Sequence, residues 1–395
     1  MSCNLGTIIG GPALVRYKGA TFFSKGDIVL SNALETFAID ADAFGGSVEE
    51  REANAPLTVS FVPTGEWEAL DVLWPYANPV IGGSIVAVTT ITGVNAADDE
   101  LTVVNHRLRA GAPFRCATFG TLPTGLNDDD LFYAGVVDED TITVHTTEAD
   151  AIAGTNKVAL TNNGVGESTI IEQEPLVIHT LTGRKLTFHV AAVSQMPDFI
   201  GSATATLIGS VTFEIFRKNG VAASTADSRY AIADEAIDLS AEGFDPAGIV
   251  TQPYTGSWGA VAPWDSFSTK GGFAVSFPMQ LTAIEDDACG VIGRRLTSVG
   301  AEVRAQPTNA NESAMLAALK LQGAGAGRGR RIAGENLNIV GTGVYLRIYG
   351  AALRSAPQVF SSQNDRAGDF VWTASRTFTA GQPGPVFYVG TGAPA

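Results

Sequence analysis

The sequence predicts a mainly β protein of α+β type, with antiparallel strands and one helix laid over a sheet. Short segments rich in β-branched residues recur along the chain, and many of them alternate polar with apolar side chains. Gly, Asn, Asp and Pro separate these segments, as is typical of turns between antiparallel strands. With 395 residues, 45% of them hydrophobic, the chain is long enough to bury a sizeable core.

The clearest alternation lies in residues 34–44, where Phe37, Ile39, Ala41 and Ala43 are apolar and Thr36, Asp40 and Asp42 are polar, with Ala38 as the exception. A second run, residues 55–62, has the same parity. The link between them, residues 45–52, is polar and begins with two glycines. The two runs therefore predict a hairpin with one face on a core and one face in water. The expected core face comprises Phe37, Ile39, Ala41, Ala43, Leu57, Val59 and Phe61.

Alternation of the same kind predicts strands elsewhere. In residues 204–216, Val211, Phe213 and Ile215 share one face, and hydroxyl side chains with Glu214 share the other. In residues 273–281 every odd position is apolar. Further strands are expected at 185–193, 296–304, 337–339, 344–349 and 372–379.

One helix is predicted, over residues 312–322. Asn311 is a suitable N-cap, and Met315, Leu316 and Leu319 form an apolar stripe. Gly323 is a natural stop after the last turn. We expect this helix to lie over a sheet of the main unit.

Residues 82–181 differ from the rest of the chain in charge. They hold 14 acidic and four basic side chains, a net −10 of the chain's −16. Such a shift indicates a domain inserted into a host fold. The host would then comprise residues 1–81 and 182–395, and the insert would have strands of its own. These are expected at 101–104, 114–118, 131–137 and 141–145.

Composition argues against several functional classes. With a net charge of −16 and no Lys/Arg run, the chain is a poor stable partner for nucleic acid or an anionic membrane. The three cysteines, Cys3, Cys116 and Cys289, are too far apart for a zinc knuckle or disulfide framework. No apolar run reaches 18 residues, so we expect no membrane insertion.

The motifs that could carry chemistry are weak. The four histidines match no metal-binding spacing, and the glycine-rich run 323–329 follows a predicted helix instead of a strand. Acidic triplets at 98–100, 128–130 and 138–140 could ligate calcium or supply a carboxylate pair for glycoside hydrolysis, but turns explain them as well. The aromatic residues of 254–264 could stack on a sugar or pack a loop. We therefore expect no enzymatic activity and no cofactor.

Several segments, in this order along the chain, resemble the major tail proteins of long-tailed bacteriophages, which are tail tube subunits. The likeness covers roughly residues 8–81 and 182–390 and is interrupted by the acidic block. The segments that carry it are 11–15, 23–28, 58–68, 73–76, 183–193, 207–213, 316–323 and 376–381.

The resemblance implies both a fold and a function. Such proteins have two packed antiparallel sheets with one flanking helix. Six copies of such a protein form a ring, whose inner strands join into one β-barrel, and rings stack into a tube that delivers DNA to the host. It also implies a virion protein assembled in the host cytoplasm, with the tape measure, terminator and tip proteins of the tail as partners. DNA would pass transiently and without sequence specificity. Closure of a barrel between subunits would remove exposed sheet edges.

Under this interpretation, the water-facing side chains would line the lumen, where small hydroxyls and carboxylates would let DNA slide. The parity of a strand gives its face and not the surroundings, so outside solvent is the alternative. The candidate lumen-lining residues are Thr36, Asp40, Asp42, Thr58, Ser60, Thr206, Ser210, Thr212 and Glu214. The candidate inter-ring loop contains Gly45, Gly46, Glu49, Glu50, Arg51 and Glu52.

The insert resembles small β domains of phage virion proteins, in residues 105–113, 120–126 and 131–137. Because it would block a lumen, we expect it on the tube exterior. It could act there as a spacer, or bind host glycans weakly with avidity from many copies. Two alternatives to a tube subunit stay open at this point: a virion adhesin and a carbohydrate-active hydrolase.

Overall fold

The computed structural model describes 33 strands and two short helices. The described residues are 7–9, 13–32, 35–41, 46–54, 56–65, 67–75, 88–104, 106, 108–128, 130–180, 183–201, 206–216, 229–235, 237, 258–259, 269–286, 290–307, 335–341, 344–355, 358–359, 366–367, 369–374, 378–379, 382–383, 385–390 and 393.

The first half of the chain contains β1 Thr7–Ile9, β2 Ala13–Tyr17, β3 Ala20–Asn32, β4 Glu35–Ala41, β5 Gly46–Asn54, β6 Leu57–Thr64, α1 Trp67–Leu70, a 3₁₀ turn at Asp71–Leu73, β7 Val88–Ile91, β8 Gly93–Asn95, β9 Glu100–Thr102, β10 Ala112–Thr118, β11 Phe132–Val136, β12 Thr141–His145, α2 Glu148–Ala153, β13 Ser168–Glu172, β14 Leu176–Thr180, β15 Arg184–Phe188 and β16 Val190–Gln195.

The second half contains β17 Phe199–Gly201, β18 Thr206–Ile208, β19 Val211–Phe216, β20 Tyr230–Asp234, β21 Trp258–Gly259, β22 Thr269–Ser276, β23 Met279–Asp286, β24 Gly290–Val299, β25 Glu302–Pro307, β26 Glu335–Gly341, β27 Val344–Ser355, β28 Gln358–Val359, β29 Arg366–Ala367, β30 Phe370–Ala374, β31 Phe378–Thr379, β32 Gln382–Pro383 and β33 Phe387–Gly390.

Two large antiparallel sheets form the host. The first sheet has the order β16-β19-β6-β3-β2-β14-β15-β20, with β1 added to β3. The second has the order β18-β17-β22-β25-β30-β27-β26-β21, with β33 added to β27. Both sheets contribute to one apolar core, in which Phe213 and Val59 of the first sheet and Trp372 of the second are fully buried. The predicted fold class, mainly β with packed antiparallel sheets, is therefore confirmed.

The third sheet, in the order β7-β13-β10-β11-β12-β9-β8, is a small barrel. Its two terminal strands, β7 and β8, follow each other in the chain with only Thr92 between them. The sheet must therefore curl until its ends meet, and Thr92 N and Oγ1 both donate to the carbonyl of Thr102, at 2.8 and 3.2 Å. A second apolar core, which includes Phe114, Phe132 and Ile142, fills this barrel.

Each large sheet extends into a long hairpin arm. In the first sheet Asn32 of β3 lies opposite Leu57 of β6, and the ladder resumes where Glu35 of β4 lies opposite Asn54 of β5. In the second sheet the β22–β25 ladder resumes as β23–β24 beyond Pro278, whose carbonyl accepts from Gly300 N at 2.9 Å. We call β4–β5 the first arm and β23–β24 the second arm.

The first arm corrects one sequence prediction. Residues 34–44 were expected to pair with 55–62, but β4 pairs with β5, and β6 pairs with β3 and β19. Gly46, Glu49, Glu50, Arg51 and Glu52, expected in a loop, are therefore strand residues. Backbone N–H and C=O groups can pair across a hairpin whatever the side chains are. A polar, charged composition therefore does not exclude a strand. Gly45 lies outside the described residues.

The boundary of the insert also differs from the prediction. Strand β14 lies within the range 82–181, yet it pairs with β2 and β15 of the first sheet. The barrel strands occupy only residues 88–172. The prediction used a shift in net charge, and net charge does not show which sheet a strand joins. The predicted helix 312–322 lies outside the described residues. The predicted strand 273–281 breaks at Pro278, where β22 ends and β23 begins.

The two separate cores predict two units that can be destabilised one at a time. Phe114→Ala removes a fully buried ring from the barrel core, and Phe213→Ala removes one from the host core. Each change should lower the free energy of unfolding of its own unit by about 3–5 kcal/mol. Hydrogen exchange should show lost protection in 88–172 for the first variant and in β6 and β19 for the second. Equal losses in both regions for both variants would show a single cooperative unit instead.

Candidate functional site

Four of the expected water-facing residues meet on one face of the first sheet. Thr212 lies opposite Ser60, and Glu214 lies opposite Thr58, across the β6–β19 pair. Directly opposed residues of an antiparallel pair point to the same side. Thr58, Ser60 and Thr212 are half-buried, whereas their strand neighbours Leu57, Val59, Phe61, Val211 and Phe213 are buried. The predicted separation of faces is confirmed here.

Glu214 does not lie on an open face, contrary to the prediction. Its residue is 6% exposed, and its carboxylate accepts a hydrogen bond from Nε of Arg294 in the second arm. The arm therefore contacts this face of the first sheet at the β19 end. A buried carboxylate is stable in such a place because a guanidinium pairs with it. Strand alternation alone could not show that Glu214 is paired with Arg294, which lies 80 positions further along the chain.

The remaining candidates are distributed elsewhere. Thr36 and Asp40 belong to β4 of the first arm, and Thr206 belongs to β18 of the second sheet. Ser210 is exposed, and its hydroxyl donates to the carbonyl of Phe61 at 3.2 Å. Asp42 lies outside the described residues.

The second arm adds a polar face that was not among the candidates. Gln280, Thr282 and Ser298 are exposed, and Gln280 lies opposite Ser298. On the other side Leu281 is half-buried and Leu296 is buried, and they lie opposite each other. The alternation that was recognised in 273–281 continues beyond Pro278 and could have predicted this face.

Nothing in the described part of the chain resembles a metal centre. No group of three or more His, Cys, Asp or Glu side chains converges there. His145 is held by Thr143 Oγ1 and the Thr155 carbonyl, at 2.8 and 2.7 Å, in a structural role. Burial raises the pKa of the Cys116 thiol to about 12, so it is not a reactive thiolate. No helix of the described residues is long and apolar enough to cross a bilayer.

A charged cluster joins the barrel to the first sheet. The tight turn between β2 and β3 is formed by Lys18 and Gly19, both with positive φ, at 48° and 77°. This turn places Lys18 Nζ 3.1 Å from Glu172 Oε1 at the end of the barrel. Arg109 of the barrel binds Glu174 Oε1 through Nε at 2.8 Å, and Glu148 Oε1 through Nη1 at 3.2 Å. We call these five side chains, Lys18, Arg109, Glu148, Glu172 and Glu174, the junction cluster.

The burial of Glu174 is the main electrostatic strain in this cluster. Its side chain is only 2% exposed, and burial, together with the charge of Glu172, raises its pKa to about 7. The guanidinium of Arg109 and the ammonium of Lys18 act in the opposite direction. The hydrogen-bonded ion pair is thus too weak to offset the lost hydration, as is common for buried pairs.

A cavity of about 340 Å³ lies beside the junction cluster. The first sheet contributes Arg16, Lys18 and His189 to its wall, and the barrel contributes Tyr133 and Glu148. Residues 173–175, which connect the barrel to β14, complete the lining. Sequence analysis did not predict this site, because its members come from distant parts of the chain.

No protein-family model matches the chain, and a comparison with curated proteins finds no match. Function must therefore be argued from the geometry and from the resemblance described above.

The buried carboxylate of Glu174 predicts a pH-dependent stability. Because its folded-state pKa is raised above the ordinary 4.5, the protein should lose stability as pH rises from about 4.5 to about 7. The loss should be on the order of 3 kcal/mol at about 1.4 kcal/mol per pKa unit. Glu174→Gln should abolish this loss, as measured by urea unfolding at pH 5 and pH 8.

The matched control is Glu148→Gln. The Glu148 carboxylate pairs with the same Arg109 guanidinium, but the Glu148 side chain is 50% exposed. This variant should leave the difference between the two pH values within about 0.5 kcal/mol of the wild-type difference. Parallel pH profiles for the wild type and Glu174→Gln would contradict the assignment to Glu174.

Proposed function

We propose that this chain is a structural virion protein, which self-assembles into hexameric rings stacked as the tail tube of a long-tailed phage. The observation that carries this proposal, beside the sequence resemblance, is the pair of hairpin arms. Each arm is a two-stranded sheet, and its outer edges have no strand partner among the described residues. The tube would conduct DNA into the host.

Unpaired edges of this length need a partner. β4 has seven residues and β23 has eight, so each arm presents rows of backbone donors and acceptors. Such edges attract other chains, and isolated two-stranded hairpins are only marginally stable in water. A closed ring in which each arm pairs with its neighbour would satisfy these groups and leave no free edge.

The composition of the arms suits the inner wall of such a ring. Two arms would give four strands from each copy to a shared barrel, with alternate side chains facing inward. The exposed face of the second arm carries Gln280, Thr282 and Ser298, which are small or neutral. These amide and hydroxyl groups suit a water-filled lumen, although Arg295, which lies opposite Thr282, adds one cationic position to this arm. Other tail proteins would cap the two ends of the tube.

A second candidate function, a surface binding module, has one observation in its favour. Of the 11 exposed large hydrophobic side chains among the described residues, seven lie in the barrel, and Phe119 is 96% exposed. Exposed apolar side chains are a feature of interaction surfaces where they form one contiguous patch. In a tube, many copies of the barrel on the exterior could bind host glycans with avidity.

Shortening the first arm should abolish assembly and leave the fold intact. Glu35 and Asn54 lie opposite each other, so an Asn-Gly turn can replace residues 36–53. The variant should keep the wild-type hydrogen-exchange protection in β3 and β6. It should form no rings or tubes in negative-stain electron microscopy with light scattering, under conditions where the wild type forms them. Tubes of normal appearance from this variant would refute the role of the arm.

Removal of the barrel separates the two candidate functions. Residues 88–172 should be replaced by a short Gly-Ser linker, so that β14 stays in the first sheet. The shortened chain should still form tubes, which makes it the control for the arm variant. If the barrel is an adhesin, these tubes should lose at least about tenfold in retention on a glycan array through lost avidity. Equal retention of both kinds of tube would eliminate the binding module.

A further inference from the structure

We propose that the outer edge of β20, Tyr230–Asp234, is a contact between two copies of this chain, which join their first sheets edge to edge about a twofold axis at Ile232. Such a contact is isologous and stops at two copies, whereas the ring proposed above needs heterologous contacts. The inference therefore goes beyond tube assembly and does not rest on it. Three observations carry it: an unprotected strand edge, a self-complementary sequence and an uncovered apolar face.

The edge of β20 lacks the usual protection against pairing. β20 is the last strand of the first sheet and has no partner on its outer side among the described residues, and all five of its residues are exposed. At the other end of this sheet, β16 has a register shift between Val193 and Gln195. The end strands of the second sheet, β18 and β21, have only three and two residues. β20 contains no Pro, no Lys and no register shift, which are the common devices against edge pairing.

The even-numbered positions of β20 direct their backbone groups away from the sheet. The carbonyl of Arg229 accepts from His189 N at 3.1 Å, and Glu235 N donates to the carbonyl of Gly183 at 2.8 Å, so the odd-numbered positions bond inward. This direction alternates along an antiparallel ladder, and the β15–β20 register has no shift. The N–H and C=O groups of residues 230, 232 and 234 therefore lie along the outer edge.

A twofold axis at Ile232 would use all of these outward groups. Ile232 would lie opposite Ile232 of the other copy, and the two residues would exchange a pair of hydrogen bonds. On each side of the axis Tyr230 would lie opposite Asp234 and exchange another pair. Every outward donor and acceptor on both strands would then be satisfied, which is what a strand edge requires.

The sequence around this axis is self-complementary in charge. Antiparallel pairing at this register places Arg229 of one copy opposite Glu235 of the other, at both ends of the contact. Opposite charges in this position stabilise an antiparallel pair, and a shift of the axis by one residue would separate both of them. The Glu235 carboxylate binds Lys185 Nζ at 2.9 Å, yet its side chain is 49% exposed and can accept a second cation.

The core face of the first sheet continues onto β20 without a cover. Tyr230 lies opposite Phe188, and Ile232 lies opposite Leu186, and both residues of β15 are buried. Directly opposed residues share a face, yet Tyr230 is 37% exposed and Ile232 is 54% exposed. A second copy would bring its own Ile232 against this one and remove apolar surface from water. Because the contact is small, we expect a Kd of about 10 μM.

Sedimentation equilibrium of the full-length, unassembled protein tests the proposal, at concentrations up to about 100 μM, well above the expected Kd. The wild type should form dimers of twice the 41.1 kDa mass of one copy. Ile232→Lys places like charges opposite each other at the axis and should raise the Kd at least about tenfold. A monomeric wild type, or equal dimerisation of Ile232→Lys, would overturn the proposal.

The matched control is Ile200→Lys, which makes the same change at an exposed position of β17 in the second sheet. It should change the Kd by less than about twofold, because it lies outside the contact. An equal loss of dimers in Ile200→Lys and Ile232→Lys would show that added charge alone, and not the edge of β20, decides association.

Ile232→Glu tests the register of the contact. Alone, it should dimerise as poorly as Ile232→Lys. An equimolar mixture of the two variants should form a heterodimer, because the introduced Lys and Glu side chains would lie opposite each other at the axis. The Kd in the mixture should be at least about tenfold lower than the Kd of either variant alone. A mixture that associates no better than its components would overturn the proposed axis.

Hydrogen exchange of the wild type covers the case in which the variants do not fold. A rise in concentration from about 1 to about 100 μM should slow exchange at the outward amides of residues 230, 232 and 234. The amides of residues 231 and 233 already bond to β15 and should change little. Equal changes at all five amides, or none, would contradict the contact. Because the arms are unaltered, a negative result leaves the tube proposal intact, and a failure to form tubes leaves this contact intact.

Discussion

The pairing of backbone hydrogen-bonding groups along strand edges is the constraint on which this structure depends. A mainly β chain must satisfy two edges for each strand, because an unpaired edge invites other chains. The barrel solves the problem by closure, since β7 and β8 bring its two ends together. The host sheets end in short strands such as β21, with two residues. Among the described residues the strands of each arm pair only with each other, and the proposed ring would satisfy their outer edges.

The fold class could be predicted from the sequence because alternation reports burial directly. Leu57, Val59 and Phe61 are buried and their neighbours are half-buried, as the pattern predicts. Pairing partners were harder to predict, because they depend on backbone groups that every residue carries. The polar residues 45–52 therefore predicted a loop, whereas Gly46–Asn54 form β5. Closure of the barrel likewise could not be predicted from the sequence, since it follows from strand order and not from any local pattern.

The site could not be predicted because its members are distant in the chain. Lys18 and Glu172 belong to different units, and 65 positions separate Arg109 from Glu174. No spacing rule for motifs connects such residues, and each of them, taken singly, is an ordinary charged residue in a turn or at a strand end. Glu172 and Glu174 are two positions apart between β13 and β14, but their partners Lys18 and Arg109 come from distant parts of the chain.

The junction cluster and the cavity beside it have one physical cause. Two packed cores meet at this junction, where Ile171 of β13 packs against the host core. Charged side chains fill that place, and the buried carboxylate of Glu174 costs stability that its contact with Arg109 does not fully offset. Guanidinium and carboxylate planes pair only in particular directions, so the cluster fixes how the barrel is oriented on the host sheet. Side chains held in this way cannot collapse into the remaining space, and a cavity with both charged and apolar walls persists between the two units.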